Sequence, residues 1–177
     1  MSLHNPTLGV FKLNPQVNLP IFQTEQSACF DLCYSPFGKN FVSGFDRYNN
    51  PVTREINMTT GRFSICPFDR LLVPTGVIFD IPKGYSVRIH ARSGLSLKQG
   101  LVLANGEGVV DSDYVEECFI MLLNMSENTQ TIDNGQRLCQ AELIKNGKYT
   151  LLETKEKPQL KTSRNGGFGS TGTGAIV

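Results

Sequence analysis

The chain has 177 residues, 40% of them hydrophobic and 19% charged, which suits one globular domain and excludes a disordered polymer. Its formal net charge is +1, and the absence of a basic block excludes a long-range field for tracking nucleic acid. An anionic ligand must therefore be held locally, by a few arginines and backbone amides.

The first residues, 1–6, have no basic start and no apolar stretch behind them, so no signal peptide is expected. The most apolar run, residues 119–123, is far too short to span a bilayer, so no membrane partner is expected. Five cysteines (Cys29, Cys33, Cys66, Cys118 and Cys139) are odd in number and form no C-x-x-C pair. They read as free, partly buried thiols of a cytoplasmic, reducing compartment rather than as disulfides or zinc ligands.

Along the chain, helical periodicity is nearly absent, and short alternating runs are broken by Gly, Pro, Asn and Asp: an all-β barrel or sandwich. The first unusual segment, 35–67, is polar, and within it residues 52–58 and 62–66 flank Thr59-Thr60-Gly61 as a predicted hairpin. Strands are predicted over 71–73, 77–80, 85–90, 115–123, 138–144 and 149–152, separated by turn signals at 74–76, 82–84, 134–135 and 146–147. One short helix is predicted near 96–100. A charged, proline-broken linker, 155–163, leads to a tail rich in glycine and hydroxyl groups. The expected organisation is a single domain over 1–160, carrying the 35–67 insert, and a tail over 161–177.

Four stretches carry chemistry. Arg92-Ser93-Gly94-Leu95 follows a strand; it reads as a phosphate clamp or as a strand-to-helix turn with Ser93 as N-cap, and both readings are compatible. Residues 105–114, Asn-Gly-Glu-Gly-Val-Val-Asp-Ser-Asp-Tyr, suggest a hairpin with close backbone approach to a ligand and an acid able to orient or deprotonate water; a plain polar tip is the alternative. Gly135 to Gln140 opens a strand in which Arg137 and Gln140 are phosphate or structural ligands. The tail stretch 164–172 offers Arg164, an aromatic ring at Phe168 and amides and hydroxyls at Gly169, Ser170 and Thr171. It reads as an anion-binding nest with a stacking ring, or as a disordered Gly/Ser end. His4 and His90 suggest no pairing, and neither zinc spacing nor a Walker loop is present.

In this order, and with Ser27-Ala28-Cys29-Phe30-Asp31-Leu32 ahead of them, these stretches resemble the five motifs of the trimeric dUTPase family. Cys29 stands where that family usually has glycine, and Arg164 lies four residues before Phe168 where five is common. The resemblance implies an all-β, jelly-roll-type β-barrel that forms homotrimers with shared active sites. It implies hydrolysis of dUTP to dUMP and pyrophosphate with Mg2+, limiting uracil incorporation into DNA and supplying dUMP for thymidylate synthesis.

By the same resemblance, Asp111 would activate the attacking water and Tyr114 would pack against the deoxyribose. Asn105 with the backbone around Gly108 and Val110 would read uracil. Arg92, Ser93, Gly94 and Gln140 would hold phosphates. Asp31 would support hydrated Mg2+ through water. Phe168 would stack on uracil, with Arg164, Gly169, Ser170 and Thr171 near the γ-phosphate.

dCTP deaminases share the fold and place a catalytic Glu ten residues after the corresponding aspartate; Met121 stands there and serves as neither acid nor base. A non-catalytic, partner-binding relative is the other reading. The motif set argues against lost catalysis, and the long insert leaves an added binding role open.

Overall fold

Alternating apolar positions between turn residues produce strands and one short helix in the computed structural model, which describes residues 5–163. The elements are β1 (Gly9–Lys12), β2 (Ile21–Phe22), β3 (Phe30–Cys33), β4 (Phe41–Phe45), β5 (Pro51–Glu55), β6 (Phe63–Ile65), β7 (Arg70–Pro74) and β8 (Val77–Asp80). They continue with β9 (Tyr85–Ala91), α1 (Ser93–Gln99), β10 (Leu101–Leu103), β11 (Gly108–Asp111), β12 (Phe119–Asn124), β13 (Gln130–Ile132) and β14 (Arg137–Lys145).

Two five-stranded antiparallel sheets, ordered β10-β12-β7-β4-β5 and β11-β9-β14-β3-β2, enclose the core, with the small pairs β1-β8 and β13-β6 beside them. Every second side chain of a strand points to the same face. One sheet buries Val42, Leu71, Val73, Leu101, Ile120 and Leu122; the other buries Phe30, Leu32, Val87, Ile89, Cys139 and Ala141. The intervening residues of β9 and β14 (Arg88, His90, Gln140 and Glu142) are only partly buried and polar. This is the expected all-β, jelly-roll class.

The compact unit ends at Gly147. Residues 148–163 form no helix or strand, so the strand predicted over 149–152 is absent. Tyr149, Leu151 and Leu152 are all exposed; an alternating pattern becomes a strand only when another strand takes its backbone hydrogen bonds.

Further expectations are corrected. First, residues 52–66 are not a hairpin. β5 pairs with β4, whereas β6 pairs with β13. The hairpin is β4–β5, and its turn is held by the Asp46 carboxylate, which accepts bonds from the Tyr48 and Asn50 amides. The insert is tied into the sheet: β4 pairs with β7, and Arg54 is bonded at 2.6 Å to the buried Asp69 carboxylate.

Second, residues 105–114 are not a hairpin either, because β10 pairs with β12 and β11 with β9, so this stretch crosses from one sheet to the other. Third, the strand predicted over 115–123 begins only at Phe119. The polar groups just before it are engaged by the turn after β7: the Thr75 hydroxyl donates to the Cys118 carbonyl, and Glu117 Oε1 accepts the Gly76 amide at 2.9 Å. The helix lies three residues earlier than expected at its start, with Arg92 as N-cap and no side-chain cap, so Ser93 is not the N-cap.

Gly44 is what lets β4 lie against β7. A Cβ at this position would stand 1.9 Å from the Arg70 carbonyl oxygen, which is backbone and cannot swing aside. Gly44→Ala is expected to lower stability by about 1–3 kcal/mol, the usual cost of overpacking. Thermal unfolding checks this, and an unchanged Tm would mean that the two strands separate freely.

Candidate active site

The motif residues among the described positions fall into two groups. The first surrounds Asp31. In β3 this residue pairs with Gln140 of β14, and Gln140 in turn pairs with His90 of β9. Asp31 is 7% exposed, so its charge needs partners. Arg92 Nε lies 3.2 Å from one carboxylate oxygen and Arg137 Nη1 3.0 Å from the other. Arg92 Nη1 also donates to the Arg137 carbonyl at 2.9 Å. Ser93 and Gly94 follow, both exposed. Asp31, Arg92, Ser93, Gly94 and Gln140 are therefore neighbours through strand pairing and sequence, though 109 positions separate the first from the last. Each oxygen of Asp31 retains room for a further hydrogen bond, and Arg92 has donors left for an anion.

The second group lines a cavity of about 310 Å³. Asn105, Gly108, Val110, Asp111 and Tyr114 contribute to it, joined by Leu72, Ile89, Val109, Cys118, Phe119 and Met121. Gly108 is required for closeness: a Cβ there would come within 2.9 Å of Ile89 Cβ. Asp111 ends β11 with its side chain exposed, and its carbonyl accepts the Tyr114 amide at 3.1 Å. The Tyr114 hydroxyl donates to the Glu117 carbonyl at 2.9 Å, which holds the ring in place. Burial, and then Cys118, Glu116 and Glu117, push this phenol up, so it stays neutral.

Sequence reading missed part of this wall. Leu72, Phe119 and Met121 come from β7 and β12, where alternation marks an exposed face but not what the face adjoins. It also missed Lys39 of the insert, which lies 3.1 Å from Glu117 Oε2 and 5.5 Å from the centre of the Phe119 ring. The insert thereby braces the segment that carries Tyr114.

Cys29, Cys33, Cys118 and Cys139 offer no nucleophile. Burial pushes Cys118 up to about 12 and Cys139 well above the ordinary thiol range. Cys33 is raised by burial and then Asp31, and Cys29 by burial and then Glu142 and Asp31. These four are neutral thiols. Arg164, Phe168, Gly169, Ser170 and Thr171 lie outside the described residues. Among the described residues, no helix is long and apolar enough to cross a membrane.

The dUTPase family model matches residues 58–172. A deoxyuridine 5'-triphosphate nucleotidohydrolase of Brucella melitensis biotype 2 is 35% identical over 174 residues, which cover 95% of this chain and 94% of the relative. One from Finegoldia magna is 44% identical over 116 residues, 64% of this chain and 79% of that protein. Among solved structures, a dUTPase of Staphylococcus bacteriophage 80alpha with dUpNHpp matches at TM-score 0.72 and 19% identity, over 94% of this chain and 99% of that one. A dUTPase from phage phi11 of S. aureus, described for the coordination of a structural Mg(II) ion, matches at TM-score 0.66 and 18% identity, over 86% and 99%. The structural matches establish the fold; the family model and the relative aligned along nearly the whole chain establish descent, and the chain belongs to the dUTPase family.

Proposed function

We propose that this protein hydrolyses dUTP at the α-phosphorus to dUMP and pyrophosphate, with Mg2+, in homotrimers whose active sites are shared between subunits. The cavity around Asp111 and Tyr114 supplies an apolar wall for base and sugar and one carboxylate for water. The cluster around Asp31 supplies arginines for phosphates. The observation that carries the reading is the separation of these halves within one chain. Asp111 pairs with Ser86 near one end of β9, and Arg92 follows the other end. Six residues of strand span about 20 Å, far more than the few bonds between the α- and γ-phosphorus. Two copies brought together supply what one copy keeps apart.

In this reading Asp111 orients water and takes its proton, and Arg92, Ser93, Gly94 and Gln140 receive the phosphates. Asn105 and the amides around Gly108 and Val110 bond the uracil edge. Phe168 is assigned to the uracil ring, and Arg164, Gly169, Ser170 and Thr171 to the γ-phosphate. Asp31 fits an outer role toward Mg2+: it is a hard oxygen donor, but both its oxygens already accept guanidinium N–H groups, so it suits holding the ion's waters. When bound, Mg2+ supplies charge neutralisation across the phosphate oxygens.

Pyrophosphate release from dUTP tests the activity; no release, or ammonia release from dCTP, overturns it. Mixing tests the sharing. Asp111→Asn and Arg92→Ala trimers, each well below the parental activity, are unfolded and refolded together. If every site takes the two residues from different chains, about a quarter of the sites regain both, as random assembly of a cyclic trimer requires. No recovery means that both residues act within one chain.

Tyr114 sets the sugar. With its hydroxyl proton given to the Glu117 carbonyl, the ring would present its apolar face to C2′ of the sugar and offer no donor to a ribose 2′-hydroxyl. Tyr114→Ala is expected to narrow the dUTP-over-UTP ratio of kcat/KM by about 5- to 150-fold, from a burial penalty of about 1–3 kcal/mol. An unchanged ratio assigns the selection elsewhere.

A further inference from the structure

Strand pairing also gathers three residues that no local motif connects. Phe30 pairs with Ala141, which sets Cys29, one residue before β3, alongside Glu142 of β14. Glu142 pairs with Arg88 of β9, and His90 is two residues further on the same face. The Cys29 sulfur, a His90 ring nitrogen and a Glu142 carboxylate oxygen all lie within 4.8 Å of one another, each residue partly buried. His90 Nε2 is 3.1 Å from Glu142 Oε1. The opposite ring nitrogen, Nδ1, lies 3.7 Å from Glu107 Oε1.

We propose that Cys29, His90 and Glu142 form a binding site for a divalent transition-metal ion, zinc foremost, that staples β3, β9 and β14 together. The donor set selects the ion. A thiolate, an imidazole and a carboxylate suit Zn2+ or Co2+ and not Mg2+, which takes oxygen ligands in a near-octahedral shell. Zinc holds sulfur at about 2.3 Å and nitrogen or oxygen at about 2.0–2.2 Å, so ligand atoms around it sit roughly 3.3–3.8 Å apart. The His90–Glu142 separation of 3.1 Å is already close to this, and no pair of the three exceeds 4.8 Å. Three protein ligands leave the fourth position to water.

The surroundings agree. Glu107 lies 3.7 Å from the far nitrogen of His90, a few tenths of an ångström beyond hydrogen-bond distance, on the side from which a carboxylate orients a metal-bound imidazole. The other charges nearby are already matched, Arg88 with Glu107 at 3.0 Å and Asp31 with Arg92 and Arg137. Glu142 is left with His90. The site stands two residues from Asp31 on β3 and two from Arg92 beyond β9, so a bound ion would fix the strands that present the phosphate-side residues. Cys29 is also the residue that departs from the glycine usual in the first family motif.

The test uses the full-length protein, stripped with chelator, free of nucleotide and kept in excess Mg2+, so its outcome does not depend on the proposed hydrolysis. Cobalt chloride is added, and then zinc chloride. The expected result is one cobalt per chain with a thiolate-to-cobalt charge-transfer band, displaced by zinc, and a Tm raised by zinc. Cys29→Ser should abolish the band and the Tm rise, and Glu142→Gln should weaken cobalt binding by at least about tenfold. No charge-transfer band at excess cobalt overturns the proposal, as does a band that survives in Cys29→Ser, since Cys33 or Cys66 would then be the ligand. Metal-free melting curves report whether each variant folds. If Cys29→Ser does not fold, Glu142→Gln decides, and undiminished binding in it overturns the site.

Discussion

Asp111→Asn should fold and bind dUTP like the parent protein while kcat for pyrophosphate release falls by about 10²–10⁴-fold, the usual worth of a positioned general base. The change keeps shape and removes only basicity. Asp111 has an exposed side chain at the end of β11 and lines the 310 Å³ cavity, so no buried partner is orphaned by the substitution. A loss confined to kcat marks a group acting in the transition state; a raised KM with unchanged kcat would mark a group that merely binds substrate. Turnover near the parental rate would remove Asp111 from the chemistry and direct attention to Asp113.

Arg92→Ala should reduce kcat/KM for dUTP by about 10- to 100-fold, since one charge-assisted hydrogen bond contributes about 1.5–3 kcal/mol. Arg92 joins Asp31 to the Arg137 carbonyl and keeps donors free for phosphate. Its loss leaves Asp31 paired with Arg137 alone, so a modest fall in Tm is also expected. Arg92→Lys separates the two effects. Lysine keeps the charge but not the planar fork, so it should restore Tm more than activity if the fork grips phosphate. Equal recovery of both would mean that Arg92 only holds Asp31 in place.

The sequence was most informative where the signal is local. Val77–Asp80 was legible to the residue, and Tyr85–Ala91 and Arg137–Lys145 nearly so, because alternation with period two is written in neighbouring residues. The bounding turns were legible for the same reason: Gly76, Gly84 and Gly135 all take positive φ, which their lack of a Cβ permits. Family membership was legible too, since ordered motifs survive where overall identity is low.

Pairing was not legible, because it depends on which strands meet, and period two is silent on partners. Residues 52–58 and 62–66 read as one hairpin and instead serve two sheets, and 149–152 alternates suitably but forms no strand. The same limit governs the site. The motif residues themselves were identified from sequence, but not that Asp111 and Arg92 lie at opposite ends of β9, nor that Lys39 of the insert braces Glu117. Cys29, His90 and Glu142 gave no metal signal, since metal spacing is recognised only when ligands are close in sequence. What the sequence determined by itself is the strand pattern, the family and the chemical groups available. Which of those groups become neighbours was decided only by the tertiary structure, because antiparallel register between distant strands brings residues 29, 90 and 142 within reach of one ion.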